Sequence, residues 1–233
     1  MNNSTKTTLG IVITILIYSI SVLIGKVVKI PIEFIPSAFM NQFIMMTLSG
    51  ISIFYFQSKG ILNFSIKHVK TKVILRTILT AVIVFISVSI TASIAIKIIC
   101  GDIPKGPNPF MKYTPLQYFI FLSIIAPIAE EYLFRGFLLN MLEPLKSKGI
   151  KLFRIKLNVS VLISGVLFGM GHLLILTTGA DLPFVFRILF FTTIVGIMNG
   201  YLQEKYENNT LVPIIAHITV NTIGFLISSL SLS

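Results

Sequence analysis

Residues 116–140 read LQYFIFLSIIAPIAEEYLFRGFLLN, and two adjacent glutamates, Glu130 and Glu131, interrupt a run otherwise apolar enough to cross a membrane. A carboxylate at the bilayer midplane costs about 2.5–3.5 kcal/mol on insertion scales. Two neighbours, with Arg135 one turn further on, are not placed there by packing alone. Ionisable residues inside a span face the bundle interior and mark function. The run therefore predicts a helical membrane protein and also locates its chemistry.

The rest of the chain agrees with a membrane setting. It has 233 residues, 55% hydrophobic and 12% charged, with a mean hydropathy of +0.92. Soluble domains carry about 25% charged residues. The formal net charge is +11, but the cations lie in short loops between apolar runs. That placement fits anionic lipid headgroups and topology setting. No basic stripe is interleaved with aromatics, so nucleic acid is excluded as a partner. A single cysteine, Cys100, excludes an intrachain disulfide and a cysteine-rich metal site. The apolar run at residues 9–24 follows Lys6 and lacks a small-x-small cleavage site, which predicts a retained anchor helix and not a cleaved leader.

Seven apolar runs approach the roughly 20 residues a span needs. They lie near 9–28, 37–57, 73–99, 116–140, 157–178, 183–203 and 210–231. The expected fold is all-α, a polytopic bundle in which residues 1–233 form one integral membrane domain. An eighth span arises only if the third run breaks or 183–203 divides. Continuous runs exclude a transmembrane β-barrel, whose segments alternate. The loops carry the punctuation: Pro31 and Pro36, then Gly60, then Gly101, Pro104, Gly106, Pro107 and Pro109. With seven spans, one face collects Lys6, the cations of 59–76 and of 146–156, and Lys205. The other holds Lys26, Lys29, Lys97, Lys105, Lys112 and Arg187. The positive-inside rule then puts the N-terminus in the cytoplasm of a plasma-membrane protein. Residues 58–72 (SKGILNFSIKHVKTK) fit either a short interfacial helix or a basic loop, with His68 a solvated loop residue.

Few polar groups remain within the spans. They are Glu130, Glu131 and Arg135 in the fourth, His172 in the fifth, Asn199 in the sixth, and His217 and Asn221 in the seventh. Glu130, His172 and His217 all fall between the midplane and the cytoplasmic surface, so a bundle interior could bring them together. Glu131 and Arg135 are i,i+4 and share a face, which fits a structural ion pair as well as a site. Glu130 points about 100° away from Glu131 and has no cation on its own helix. His217 and Asn221 repeat the i,i+4 spacing, and Asn221 fits either a catalytic donor or a helix-bridging amide. Phe168 lies one turn from His172 and would exclude water or lipid. Gly196 and Gly200 form a small-xxx-small packing pair; Asn199 between them has no assigned role. A carboxylate beside an imidazole can deprotonate water, and an imidazole with an amide can donate to an oxyanion. The same Glu and two His could instead hold Zn²⁺ with an open position, although the compact HExxH signature is absent.

EEYLFR (residues 130–135), FGMGH (168–172) and HITVN (217–221) resemble, in order, the EExxxR, FxxxH and HxxxN motifs of the CPBP family. These are the CAAX-protease and bacteriocin-processing (Abi) intramembrane endopeptidases. The resemblance covers roughly residues 116–225, the implied catalytic core. It implies that Glu130 and His172 activate water, that His217 and Asn221 form the oxyanion site, and that Glu131, Arg135 and Phe168 support them. The implied cofactor is either none or zinc, in the latter case on Glu130, His172 and His217. The implied partners are membrane lipid and a protein or peptide substrate, such as a prenylated C-terminus or a bacteriocin leader; no oligomeric state is encoded. Two other functions fit the same residues: a non-catalytic scaffold or bacteriocin-immunity protein, and a proton-coupled transporter, although no discontinuous helix or inverted repeat is visible.

Overall fold

The computed structural model describes residues 1–28, 30–36, 39–101, 113–152, 155–178 and 180–230. Pro104, Gly106, Pro107 and Pro109 of the third loop, and Lys29, Lys105, Lys112 and Arg154, lie outside these residues. Among the described residues, seven helices are long and apolar enough to cross a membrane. They are α1 (Asn3–Val27), α2 (Phe39–Ser58), α3 (Thr71–Cys100), α4 (Pro115–Leu139), α5 (Val159–Thr177), α6 (Leu182–Lys205) and α7 (Leu211–Leu230). The chain is a polytopic all-α membrane protein, and neither the third nor the sixth span divides.

Lipid, not water, is the outer solvent, and the burial pattern follows from that. On α3 the exposed residues Leu75, Leu79, Ile83, Ile86, Ile90, Ile94 and Ile98 form one stripe, while Thr77, Ala81, Val88, Ala92 and Ile96 face inward. With lipid tails as apolar as leucine, helix association depends on close fit and on polar contacts. Helix α4 is the hub and touches α1, α2, α5, α6 and α7. Its C-terminal half is sealed, with Leu133, Phe137 and Leu138 fully buried. Helix α3 packs on the far side, against α6 and α7.

Small residues let α5 and α6 approach backbone to backbone. A Cβ on Gly165 would stand 2.5 Å from Ile197 Cγ1 and 2.7 Å from the Ile197 amide nitrogen. One on Gly196 would meet the Gly165 backbone at 3.0 Å. Gly165→Ala is therefore expected to destabilise the bundle by about 1–3 kcal/mol, the usual cost of overpacking. Gly224→Ala, with nothing within 4 Å of its would-be Cβ, should be neutral. Thermal unfolding in detergent compares the two; equal effects would contradict the close approach.

Two surface features go beyond the sequence reading. Residues 61–70 do not form an interfacial helix. Asn209 ties this segment down, accepting from the Lys67 amide at 3.1 Å and donating to the Lys67 carbonyl at 2.9 Å. Leu62 and Val69 are buried against the bundle, and Phe64 packs on Tyr132. Of the apolar residues that suggested a membrane-facing helix, Leu62, Phe64 and Val69 face protein and Ile66 stays exposed. The loop after α4 contains an unforeseen antiparallel hairpin, β1 (Gly149–Leu152) and β2 (Ile155–Asn158). Asn158 and Ser160 at its end both donate to Glu204 of α6.

Candidate active site

Helix α4 changes register around Pro127. The helix is α-helical over Ala126–Glu131 and π-helical on both sides, over Tyr118–Ile125 and Tyr132–Leu139. In the π register each carbonyl is taken by the N–H five residues on, as the Ala126 amide takes Phe121 O. Leu122 would then look to residue 127, a proline with no N–H to give. Asn221 of α7 fills that place, donating from Nδ2 to Leu122 O at 2.9 Å. Ser123 Oγ donates back to the Asn221 carbonyl at 3.5 Å. Asn221 is thus the helix-bridging amide that its spacing allowed, with one amide hydrogen left over. Wide turns of this kind recur at functional sites, and here they flank the paired glutamates.

Glu131 is fully buried and fully enclosed. Its Oε1 accepts from His217 Nδ1 at 2.8 Å and from Asn199 Nδ2 at 2.9 Å. Its Oε2 lies 3.1 Å from Arg135 Nε, an ion pair without good hydrogen-bond angles. Arg135, also fully buried, donates from Nη2 to Gly196 O at 2.6 Å. Its guanidinium stands 4.7 Å from the centre of the Phe168 ring. A buried ion pair gains from further hydrogen bonds to each partner, and α6 supplies one to each through Gly196 and Asn199, while Arg135 Nη1 has no hydrogen-bond partner among the described residues. The close α5–α6 approach described above is what brings these two positions within reach.

Glu130 faces a different space. Its side chain keeps 21% exposure, and Oε2 lies 3.7 Å from His217 Nε2. That is beyond hydrogen-bond range and within what a bridging water spans. Because the carboxylate at 131 can only accept, Nδ1 of His217 carries a proton, and Nε2 faces the Glu130 carboxylate.

His172 sits where the α-helical part of α5, Val159–Gly171, gives way to a 3₁₀ turn, His172–Thr178. Its Nδ1 is 3.0 Å from Phe168 O. A carbonyl only accepts, so Nδ1 holds the proton and Nε2 is the free lone pair. Among the described residues no direct hydrogen bond joins His172 to Glu130. Phe168 connects the parts: its ring meets the imidazoles of His172 at 5.1 Å and His217 at 5.4 Å, both edge-on, and lies beneath Arg135. All three sequence motifs converge on this one buried ring.

Among the described residues no three His, Cys, Asp or Glu side chains are placed to hold a metal. The Nδ1 atoms of His217 and His172 are committed to Glu131 and to Phe168 O, which leaves the two Nε2 atoms as the nitrogens that would face an ion. No step below runs through a metal.

Three residues around this cluster carried no role in the sequence reading. Asn199 holds Glu131, and a lone amide inside a span is itself a signal. Gln203, one turn on, donates to Arg135 O at 3.0 Å. Tyr18 of α1 donates its hydroxyl to Gly171 O at 2.6 Å, beside His172; an aromatic residue in an apolar helix gives no such signal.

A family model for type II CAAX prenyl endopeptidases, described as Rce1-like, matches residues 112–223 and so spans all three motifs. Neither a curated protein nor a solved structure matches the chain significantly. With the converging motifs and the seven spans, this match shows that the chain is an integral multi-pass membrane protein belonging to the CAAX-protease (CPBP) family of endopeptidases.

Proposed function

We propose that this protein hydrolyses peptide bonds of membrane-associated proteins or peptides, using a water activated by Glu130. The observation that carries the reading is His217 set between two unlike carboxylates: Glu131, buried and fixed at 2.8 Å, and Glu130, part-exposed at 3.7 Å. Glu131 cannot act as a base while two donors and a cation hold it. Glu130 is free to do so.

In this mechanism a water lies against Glu130 and the Nε2 lone pair of His172. Its oxygen bonds to the scissile carbonyl carbon, and its proton passes to Glu130. The carbonyl oxygen becomes an oxyanion and takes hydrogen bonds from protonated His217 Nε2 and from the remaining amide hydrogen of Asn221. Collapse breaks the C–N bond, and Glu130 returns the proton to the leaving amine. The Glu131–Arg135 pair and Phe168 orient His217 and keep bulk water out. The site opens towards the cytoplasmic side of the plasma membrane, with the N-terminus in the cytoplasm. Its substrate is a tethered chain, such as a prenylated C-terminus or a leader peptide.

The test is cleavage of membrane-tethered peptides by the purified chain in liposomes, read by mass spectrometry with Glu130→Ala as control. Cleavage by the native chain alone supports the reading. Equal cleavage by Glu130→Ala refutes the mechanism, and an intact substrate with an unchanged cellular phenotype in Glu130→Ala favours a scaffold. Gradient-driven uptake would point to a transporter. Because the mechanism uses no metal, 1,10-phenanthroline is expected to leave the rate unchanged and elemental analysis to find less than one zinc per chain. Stoichiometric zinc with chelator inhibition would overturn that part.

A further inference from the structure

The last four carbonyls of an α-helix lack partners within the helix. Inside a bilayer no water is at hand to satisfy them. The end of α5 at Gly171 meets this requirement with two side chains. His172 takes Phe168 O through Nδ1 and Gly169 O through its own amide. Gly171 O, the carbonyl adjoining His172, is taken by Tyr18 of α1 at 2.6 Å. The contact is tight, since a Cβ on Gly171 would stand 3.1 Å from Tyr18 Cζ and 3.2 Å from its hydroxyl. The ring is held edge-on to Phe134 at 6.4 Å. Glu130 lies within electrostatic range of the same side chain.

Resting on the hydrolytic reading above, we infer that Tyr18 is a positioning residue for the site: its hydroxyl fixes the helix end from which His172 projects, and so sets His172 Nε2 against the attacking water. Phe168 O alone leaves the imidazole free to move with the helix terminus. The Tyr18–Gly171 bond ties that terminus to a second, independent helix. Tyr18 lies outside residues 112–223, the region of the family match, so α1 completes a site whose other parts come from α4 to α7. Glycine at 171 is part of the same device, because it leaves room for the phenol.

The test uses the full chain in liposomes with a tethered peptide that it cleaves. Tyr18→Phe keeps the ring and removes only the hydroxyl. It is expected to lower kcat about tenfold, roughly the value of one lost hydrogen bond, with KM unchanged. Gly171→Ala, which pushes the ring away, should give a similar fall. The double variant should be no worse than the poorer single one, because both break the same contact. A purely structural role would lower the yield of folded enzyme and leave kcat per folded molecule at the native value, and that result overturns the inference. So does native kcat in Tyr18→Phe, or simple additivity in the cycle. If Glu130→Ala is inactive while Tyr18→Phe is fully active, the proposal about Tyr18 fails and the hydrolytic reading stands. If Glu130→Ala is active, both fail.

Discussion

Glu130→Gln is expected to lower kcat by about 10²–10⁴-fold, the usual span for loss of a general base, while the protein remains folded and binds substrate. The geometry gives a reason for both halves. Glutamine keeps the volume and loses the proton-accepting charge. Among the described residues Glu130 makes one ion contact, at 3.7 Å to His217, and it retains 21% side-chain exposure. Removing its charge strands no cation, because Arg135 is paired with Glu131 and His217 keeps its bond to that same residue. Thermal unfolding in detergent should therefore sit close to the native value. The same change at Glu131 should act in the opposite way, damaging the fold first. A Glu130→Gln enzyme within tenfold of native turnover would show that some other group takes the proton. In that case His172, with its free Nε2, becomes the candidate base.

The contrast between these neighbours shows what the sequence alone could carry. Span positions were legible because a membrane helix must be apolar on all sides, and each boundary moved by six residues or fewer. The motifs were legible as intramembrane polar groups on separate helices, and the structure brings them to one place around Phe168. The distribution of work was not. Adjacent residues 130 and 131 differ in fate because of what α6 brings, and an amide contact from Asn199 is a tertiary fact with no trace in local spacing. Asn221 was legible as an amide on the His217 face. Its bond to Leu122 follows from Pro127 only once the π register of α4 is known, and nothing in the sequence specifies that register. The segment 61–70 stayed open between an interfacial helix and a loop for a related reason. Apolar residues among lysines satisfy either lipid or a protein groove, and Asn209, about 140 positions away, decides between them. The hairpin at residues 149–158 alternates Ile-Lys-Leu on both strands, a short signal hidden by the surrounding hydrophobic runs.

Arg135→Met is expected to destabilise the protein by about 3–5 kcal/mol, the cost of leaving a buried charge without its counter-ion. Glu131 would remain fully enclosed, keeping Asn199 and His217 as donors and losing its guanidinium counter-ion. Gly196 O would lose its 2.6 Å donor in a region where lipid offers no replacement. Turnover should fall with the fold, because Glu131 sets the His217 ring. Single variants cannot separate these two losses, but a pair of changes can. Glu131→Gln combined with Arg135→Met removes both charges, and replacing a whole buried pair is often neutral for stability. Gln at 131 can still accept from His217 Nδ1 through its amide oxygen, so the bundle should regain most of its unfolding temperature. It should not regain turnover, because a neutral amide stabilises protonated His217 far less than a carboxylate does, and the oxyanion donor is then lost. Recovery of both stability and activity in the double variant would mean that the pair serves packing alone. Recovery of neither would mean that Arg135 is held chiefly by Gly196 and Phe168. The expected split, stability without catalysis, is the result that assigns the buried carboxylate to orienting His217 and leaves the proton to its exposed neighbour.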